Sequence, residues 1–397
     1  MDRQSLIETF PIPWDQKTIK EFRNRLLTWY DKYGRQLPWR ESNNPYFIWV
    51  SEIMLQQTQV ETVIPYYQRF IEELPTIQSL AMVDSESLMQ LWQGLGYYSR
   101  VRNMQIAAKQ IMEIHKGKMP NTYEELLSLR GIGPYTAGAI ASIAFNLAEP
   151  AMDGNLIRII TRLFEIKEDI TRQATKNRIM AYLYQLIDPK RPGDFNQALM
   201  DLGATIHTAQ NYDISESPIK EFDQSFRNRS SHLYPVKRKK NKASQHHYLA
   251  YAIQTNDGRL LMRKHSEKEL LTSLWHFPLV ETHVNLNESN LSEIVSPLFE
   301  KFSEDLAMMK IKENKLVQMQ DYYSDIMSGL SVKHVFSHQV WHVQIIPLSI
   351  EGNVYELNES EMKWVSKSDI NEIARSTLQN KIFGKLYPEF EEIDEYI

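Results

Sequence analysis

The sequence predicts two domains of different class: a mostly α N-terminal domain over residues 1–226 and a C-terminal α+β domain over residues 246–397. Three observations predict this. Apolar residues recur at helical spacing from about residue 19 to residue 226, broken only by short Pro, Gly and Asn punctuation. The stretch 227–245, RNRSSHLYPVKRKKNKASQ, is polar and carries a KRKK run, the composition of a basic linker. Beyond it the pattern changes to short apolar alternations around Asn256-Asp257-Gly258, a hairpin signal.

In the first domain helices are expected over residues 19–33, 45–59, 60–74, 85–91, 102–115, 123–129, 135–145 and 156–164. Several open behind a capping residue: Asn44 before Pro45, Thr122 with Glu125 three residues on, and Asp153 before an apolar-periodic run. In the second domain strands are expected over 247–254, 259–264, 274–281 and 340–350, with helices at about 290–302 and 367–375. No internal repeat is visible.

The 397 residues are 42% hydrophobic and 11% aromatic, ample for two cores. No apolar run approaches the ~18 residues of a membrane span, and the N-terminus lacks a basic stretch followed by an apolar one. A soluble cytoplasmic monomer is expected, with no membrane partner. The formal net charge is -5, so a whole-protein field would repel phosphate. Contact with DNA then needs a local patch or backbone amides. The chain has no cysteine, which excludes disulfides, thiolate nucleophiles, zinc ribbons and thiolate-ligated iron–sulfur clusters. No metal site is expected.

The string Leu129-Arg130-Gly131-Ile132-Gly133-Pro134-Tyr135-Thr136-Ala137-Gly138-Ala139-Ile140 follows a short capped helix and opens another. Gly131 and Gly133 permit backbone conformations that turn successive amides outward at a helix N-terminus, a nest for phosphate that needs no basic side chain. A bare G-I-G is also compatible with a plain helix–helix turn; the full string is far more specific.

Together with Leu37-Pro38-Trp39-Arg40, W-V-S-E-I-M-L-Q-Q-T-Q-V at 49–60, W-Q-G-L-G-Y-Y-S-R at 92–100, Met152-Asp153-Gly154-Asn155 and A-L-M-D-L-G-A at 198–204, this string resembles the MutY-type adenine DNA glycosylases of the helix-hairpin-helix superfamily. The resemblance implies base-excision repair: hydrolysis of the N-glycosidic bond of adenine mispaired with 8-oxoguanine, and also with guanine. Double-stranded DNA carrying such a mispair is the implied partner, and the nucleoid the place of action.

Such a reaction needs a proton on the departing base and negative charge beside an oxocarbenium-like sugar, work that two carboxylates in different surroundings can divide. Glu52 lies four residues after Ile48 and three before Leu55, on a largely apolar helical stripe. A carboxyl there should have a raised pKa, although an ordinary helix Glu on a polar face is the plain alternative. The resemblance assigns this Glu to protonating adenine N7 and then handling the water. Asp153 reads as an N-cap, and capping amides would also hold it ionised; the resemblance makes it the essential carboxylate, with Asn155 orienting the site. Related lyases carry lysine at the hairpin position occupied here by Tyr135. A tyrosine cannot form a Schiff base, so base excision without strand nicking is expected.

The target base must leave the duplex, and the hole must be filled. Gln57, Thr58, Leu95 and Tyr97 match the family's wedge around the oxidised guanine, and Trp39 and Arg40 its lining of the adenine pocket. Core packing is the alternative for Leu95 and Tyr97. In the second domain Phe336, Ser337 and His338 match the loop that reads 8-oxoguanine, on a domain resembling a Nudix fold that lacks the glycine and paired-glutamate box. That lack argues against nucleotide hydrolysis.

Most relatives place a C-x6-C-x2-C-x5-C cluster loop after the L-G-A string. The four positions here, within 207–223, are His207, Ile214, Ser217 and Asp223, so a clusterless member with no cofactor is expected and the loop should be filled by ordinary packing. Two alternatives stay open: a lyase acting on oxidised pyrimidines, and a damage binder without catalysis.

Overall fold

The computed structural model describes residues 2–238, 243–266, 269–282, 330–336, 338–350 and 361–388. The expected helix at about 290–302 lies outside them, as does Ser337. The chain divides into two compact units, one of residues 1–82 and 100–240, the other of residues 83–99 and 241–397.

The first unit is helical: α1 (Arg3–Thr9), α2 (Gln16–Tyr33), α3 (Pro45–Met54), α4 (Val60–Glu73), α5 (Ile77–Met82), then α7 (Ser99–Ile114), α8 (Tyr123–Ser128), α9 (Pro134–Phe145), α10 (Gly154–Leu163), α11 (Gln173–Leu186), α12 (Pro192–Thr205) and α13 (Gln224–Arg227). Between the last helices of the first group and α7 the chain makes α6 (Ser85–Leu91), which belongs to the second unit. The expected caps are made: Asn44 accepts from the Tyr46 amide at 2.9 Å, and Thr122 from the Glu125 amide at 3.3 Å. In α10 the residues Leu156, Ile159, Ile160 and Leu163, spaced i, i+3, i+4 and i+7, are fully buried. They pack with Phe22, Leu26, Leu183, Phe195 and Leu199. Truncating one of these to Ala should cost about 2–5 kcal/mol, and that packing fixes the N-terminal end of α10, where Asp153 sits.

Within 227–238 the chain is not free of contacts, for Ser231 and Tyr234 are both buried. Among the described residues no helix is long and apolar enough to cross a membrane.

The second unit is a mixed sheet beside helices. Its strands are β1 (Ser244–Thr255), β2 (Leu260–Lys264), β3 (Trp275–His276), β4 (Leu279–Thr282), β5 (Ser331–Val335), β6 (Gln339–Ile350) and β7 (Met362–Val365). The order is β3-β2-β1-β6-β5, with β4 paired to β1 and β7 to β2. β1 and β6 run parallel along their whole lengths, Ser244 opposite Gln339 through Thr255 opposite Ile350, and β1 alternates antiparallel partners at its two ends. The helix expected at 367–375 is a short 3-10 turn, Ser368–Glu372, and the α-helix of this region is α14 (Thr377–Leu386). Ser376 explains the shift: its hydroxyl caps the Gln379 amide at 3.1 Å and starts the helix there.

Segment 83–99 is tied into this unit by polar contacts. Glu86 accepts from the Ala374 amide at 2.9 Å and pairs with Lys264 at 3.3 Å, Gln93 accepts from the Arg375 amide at 3.1 Å, and the Tyr98 hydroxyl donates to the Arg375 carbonyl at 3.1 Å.

Candidate active site

Glu52 is carried by α3, and the helix is buried on all sides rather than along one stripe. Tyr46, Ile48, Trp49, Val50, Ser51, Ile53 and Met54 are all inside. A helix apolar all round has no polar face to offer, so Glu52 itself is only 5% exposed. Burial pushes its carboxyl up to about 7, and the negative charge of Asp153 adds to the rise. A hydrogen bond donated by the Tyr135 hydroxyl to Glu52 Oε2 and the Arg40 charge both oppose it.

Tyr135 stands in the first turn of α9, behind the Gly131 and Gly133 hairpin. Gly131 has φ +78 and its Cα lies against Asn103, so a Cβ there would meet the Asn103 Cβ at 2.7 Å. Gly133 is the N-cap of α9, open to its surroundings. Burial and the neighbouring carboxylates hold the Tyr135 phenol well above its usual value, so it stays a donor.

Asp153 is the N-cap of α10. One carboxylate oxygen accepts from the Leu156 amide and the other from Asn155 Nδ2, each at 2.8 Å. Burial raises its pKa while these donors resist the rise. Two buried contacts bring this turn to α9. A Cβ on Gly138 would meet the Pro150 carbonyl at 2.3 Å, so only glycine allows that approach. Asn196 on α12 accepts from the Ala151 amide at 3.2 Å and donates to the Glu149 carbonyl at 2.9 Å and the Ser142 hydroxyl at 2.8 Å.

Glu52, Tyr135, Trp39 and Arg40 line one cavity of about 50 Å³, with Arg35 and Gln197 on its wall. Four of the expected residues, far apart in sequence, therefore converge. Gln57 is exposed at φ +61, just past the end of α3, with Thr58 beside it. The Arg100 guanidinium holds this turn by donating to the carbonyls of Ile53, Met54 and Gln56 at 2.8, 3.1 and 2.6 Å.

In the second unit Tyr97, Phe336 and His338 line a separate cavity of about 230 Å³, walled also by Tyr98, Leu270 and Leu271. Tyr97 has φ +48 and is 44% exposed, whereas Leu95 is buried. Phe336 packs edge-on against His334 and Trp341, with ring centroids 4.6 and 4.9 Å away.

At the four positions of the implied cluster loop the residues do not fit a four-iron cluster. His207, Ile214, Ser217 and Asp223 are all buried. His207 Nε2 and the Ser217 hydroxyl share a hydrogen bond at 2.8 Å, and Asp223 accepts from the Ser225 hydroxyl at 2.7 Å and the Phe226 amide at 3.0 Å. His207 Nδ1 stands 3.9 Å from Asp223 Oδ2. Ile214 offers no ligand atom, and burial keeps His207 neutral, its pKa down at about 3. The space is closed by polar side chains as well as by the expected apolar packing. Among the described residues no three His, Asp or Glu side chains gather as metal ligands.

Sequence reading passed over Arg35, Asn196, Gln197 and Asp201. Asp201 had a usable signal, a lone charge inside the apolar run A-L-M-D-L-G-A. Asn196 had none, because its partners, the Ala151 amide, the Glu149 carbonyl and the Ser142 hydroxyl, all lie about 45 or more positions away.

Both parts of the chain match known protein families. Residues 50–185 match the HhH-GPD superfamily base excision DNA repair protein family, and residues 249–385 match the NUDIX domain. The adenine DNA glycosylase of Mus musculus is 44% identical over 237 residues, 56% of this chain, and that of Homo sapiens 44% over 226 residues. The matched stretch spans less than half of those two proteins, 46% and 41%. The adenine DNA glycosylase of Buchnera aphidicola subsp. Schizaphis graminum is 32% identical over 349 residues, covering 87% of this chain and 92% of that one. On that coverage the chain belongs to the adenine DNA glycosylase family.

Proposed function

We propose that the protein is a monofunctional adenine DNA glycosylase that hydrolyses the N-glycosidic bond of adenine opposite 8-oxoguanine, and also opposite guanine. The observation that carries this reading is the buried Glu52 carboxyl, raised to about 7 and hydrogen-bonded by Tyr135, with the capped Asp153 close enough for its charge to be felt. A carboxyl with that pKa is partly protonated at neutrality and can act as general acid. In this reading Glu52 gives its proton to adenine N7, the bond from sugar C1′ to N9 breaks, and its electrons leave with the base. The Asp153 carboxylate, oriented by Asn155, stabilises the oxocarbenium-like sugar. Glu52, now a carboxylate, takes a proton from the water that adds to C1′, leaving an abasic site. Tyr135 has no amine with which to trap the sugar, so the strand is not nicked.

Binding and selection follow the same reading. The Gly131–Gly133 amides at the start of α9 grip a phosphate, which suits a chain of net charge -5. Trp39 and Arg40 line the pocket for the flipped adenine, Gln57 and Thr58 are wedge residues of the first unit, Leu95 and Tyr97 wedge residues of the second, and Phe336, Ser337 and His338 read the oxidised base. Each of these steps is open to the chain as a monomer and without a cofactor, since none uses a redox centre or a metal.

The test is incubation of the protein with a duplex carrying adenine opposite 8-oxoguanine, with and without alkali afterwards. Strand breakage only after alkali is the expected outcome. Breakage without alkali would make the protein a lyase, and tight binding without excision a damage binder.

A further inference from the structure

We propose that Asp201 is a positioning residue that preserves Glu52 as an acid, by engaging the Arg40 guanidinium and so withholding that cation from the Glu52 carboxyl. The inference rests on the reading of Glu52 as general acid.

Asp201 lies on α12 and is fully buried. Its carboxylate accepts four hydrogen bonds. Arg40 Nη1 and Nη2 donate to its two oxygens at 2.7 and 2.9 Å, and Arg35 donates through its amide at 2.9 Å and its Nε at 2.7 Å. Paired bonds of this kind fix a guanidinium in orientation as well as position. Arg40 Nη1 also donates to the Arg35 carbonyl at 3.0 Å, and the guanidinium lies over the Tyr30 ring at 5.7 Å. Both terminal nitrogens of Arg40 are therefore engaged by partners other than Glu52.

The need for such a device follows from the cavity. Arg40 is largely buried and lines the same 50 Å³ space as Glu52, and Glu52 is the one carboxylate on that wall. The charged and titratable groups facing Glu52 are Tyr135 from α9, Asp153 from the start of α10 and Arg40 from the 3-10 turn Pro38–Arg40. Arg40 in turn faces Asp201 and Tyr30. A buried guanidinium without its carboxylate must find another anion, and Glu52 is within the same cavity. An ion pair there would hold Glu52 ionised and remove the proton it is to donate. Arg35 is the lesser concern, because its side chain is 29% exposed and can turn to water.

The experiment is Asp201→Asn, read in two ways. The Glu52 carboxyl is titrated directly by carbon-13 NMR, with Glu52→Gln as the assignment control, and single-turnover excision from the adenine:8-oxoguanine duplex is followed against pH. The Glu52 midpoint should fall by about 1–3 pH units, the size of effect of an opposite charge in contact. Excision should fall about fivefold or more near neutrality and recover as pH is lowered by a similar interval. Adding Arg40→Gln to Asp201→Asn should return the midpoint to its wild-type place. A folded Asp201→Asn protein with an unmoved midpoint, or with the same loss of rate at every pH, would overturn the proposal. If Asp201→Asn does not fold, Arg40→Gln alone decides: a midpoint within about half a unit of wild type supports a cation already neutralised by Asp201, and a rise of about one unit or more refutes it. Should the wild-type protein fail to excise adenine, the functional reading falls, while the carboxyl titration still decides the role of Asp201.

Discussion

Replacing Glu52 with Gln keeps the shape of the side chain and an oxygen to accept from Tyr135, but removes the ionisation. The consequence for stability can be worked out from the site. A carboxyl whose folded pKa is about 7 against an ordinary 4.5 is easier to bury protonated than ionised. Stability from this group is fully present below the ordinary value and is lost as pH rises through the folded one, by about 3 kcal/mol in all. Between about pH 5 and about pH 8 the wild-type protein should lose about 2.5 kcal/mol that the Gln variant does not lose. For a unit of this size that is about 5–10 °C in melting temperature. Thermal melts of the two proteins across this range, followed by the helical circular dichroism signal, measure it. The variant should melt close to wild type at the acid end and several degrees above it at the alkaline end. A difference between the two melting temperatures that is the same at every pH would refute the raised pKa, whatever its sign.

The same substitution should abolish excision while leaving DNA affinity largely intact, since loss of a positioned acid costs about 10² to 10⁴ in rate; a single-turnover rate within tenfold of wild type would refute the assignment. Purified protein should excise adenine while elemental analysis finds no stoichiometric iron, because the chain has no cysteine and His207, Ser217 and Asp223 close the loop by hydrogen bonds. Changing Ser337 and His338 together to Ala should lower the ratio of excision opposite 8-oxoguanine to excision opposite guanine about tenfold, at about 1 kcal/mol or more per lost hydrogen bond. An unchanged ratio in a stably folded double variant would remove that loop from damage reading.

What was legible in the sequence is what is local. The starts of α3, α8 and α10 could be read because Asn44, Thr122 and Asp153 bond to amides two or three residues away. The end of α3 could not. Its periodicity runs on to residue 59, yet the helix stops at Met54, where Gln57 takes φ +61 and Arg100 gathers three of the freed carbonyls. That stop is imposed by a residue 46 positions away. The same holds for segment 83–99, whose helical pattern was plain but whose place in the second unit depends on Glu86, Gln93 and Tyr98 meeting residues 264 and 374–375.

The site shows the same division, with a further step. Both Glu52 and Asp201 are lone acids in apolar helical runs, so sequence gives them the same signal of a carboxylate carried inside. What separates them is the partner each meets. Asp201 meets two guanidinium groups, and its pKa is lowered despite full burial because their hydrogen bonds and charge outweigh desolvation. Glu52 meets a phenol and another carboxylate, so burial prevails and its pKa rises. Arg40 is the residue that could exchange these fates, since it feels both. Opposite pKa shifts in two buried carboxyls thus follow from which of them the Arg40 and Arg35 guanidiniums bond, and for Arg40 that choice is set by tertiary contact between α12 and the 3-10 turn at residue 40, not by either residue's neighbours in the chain.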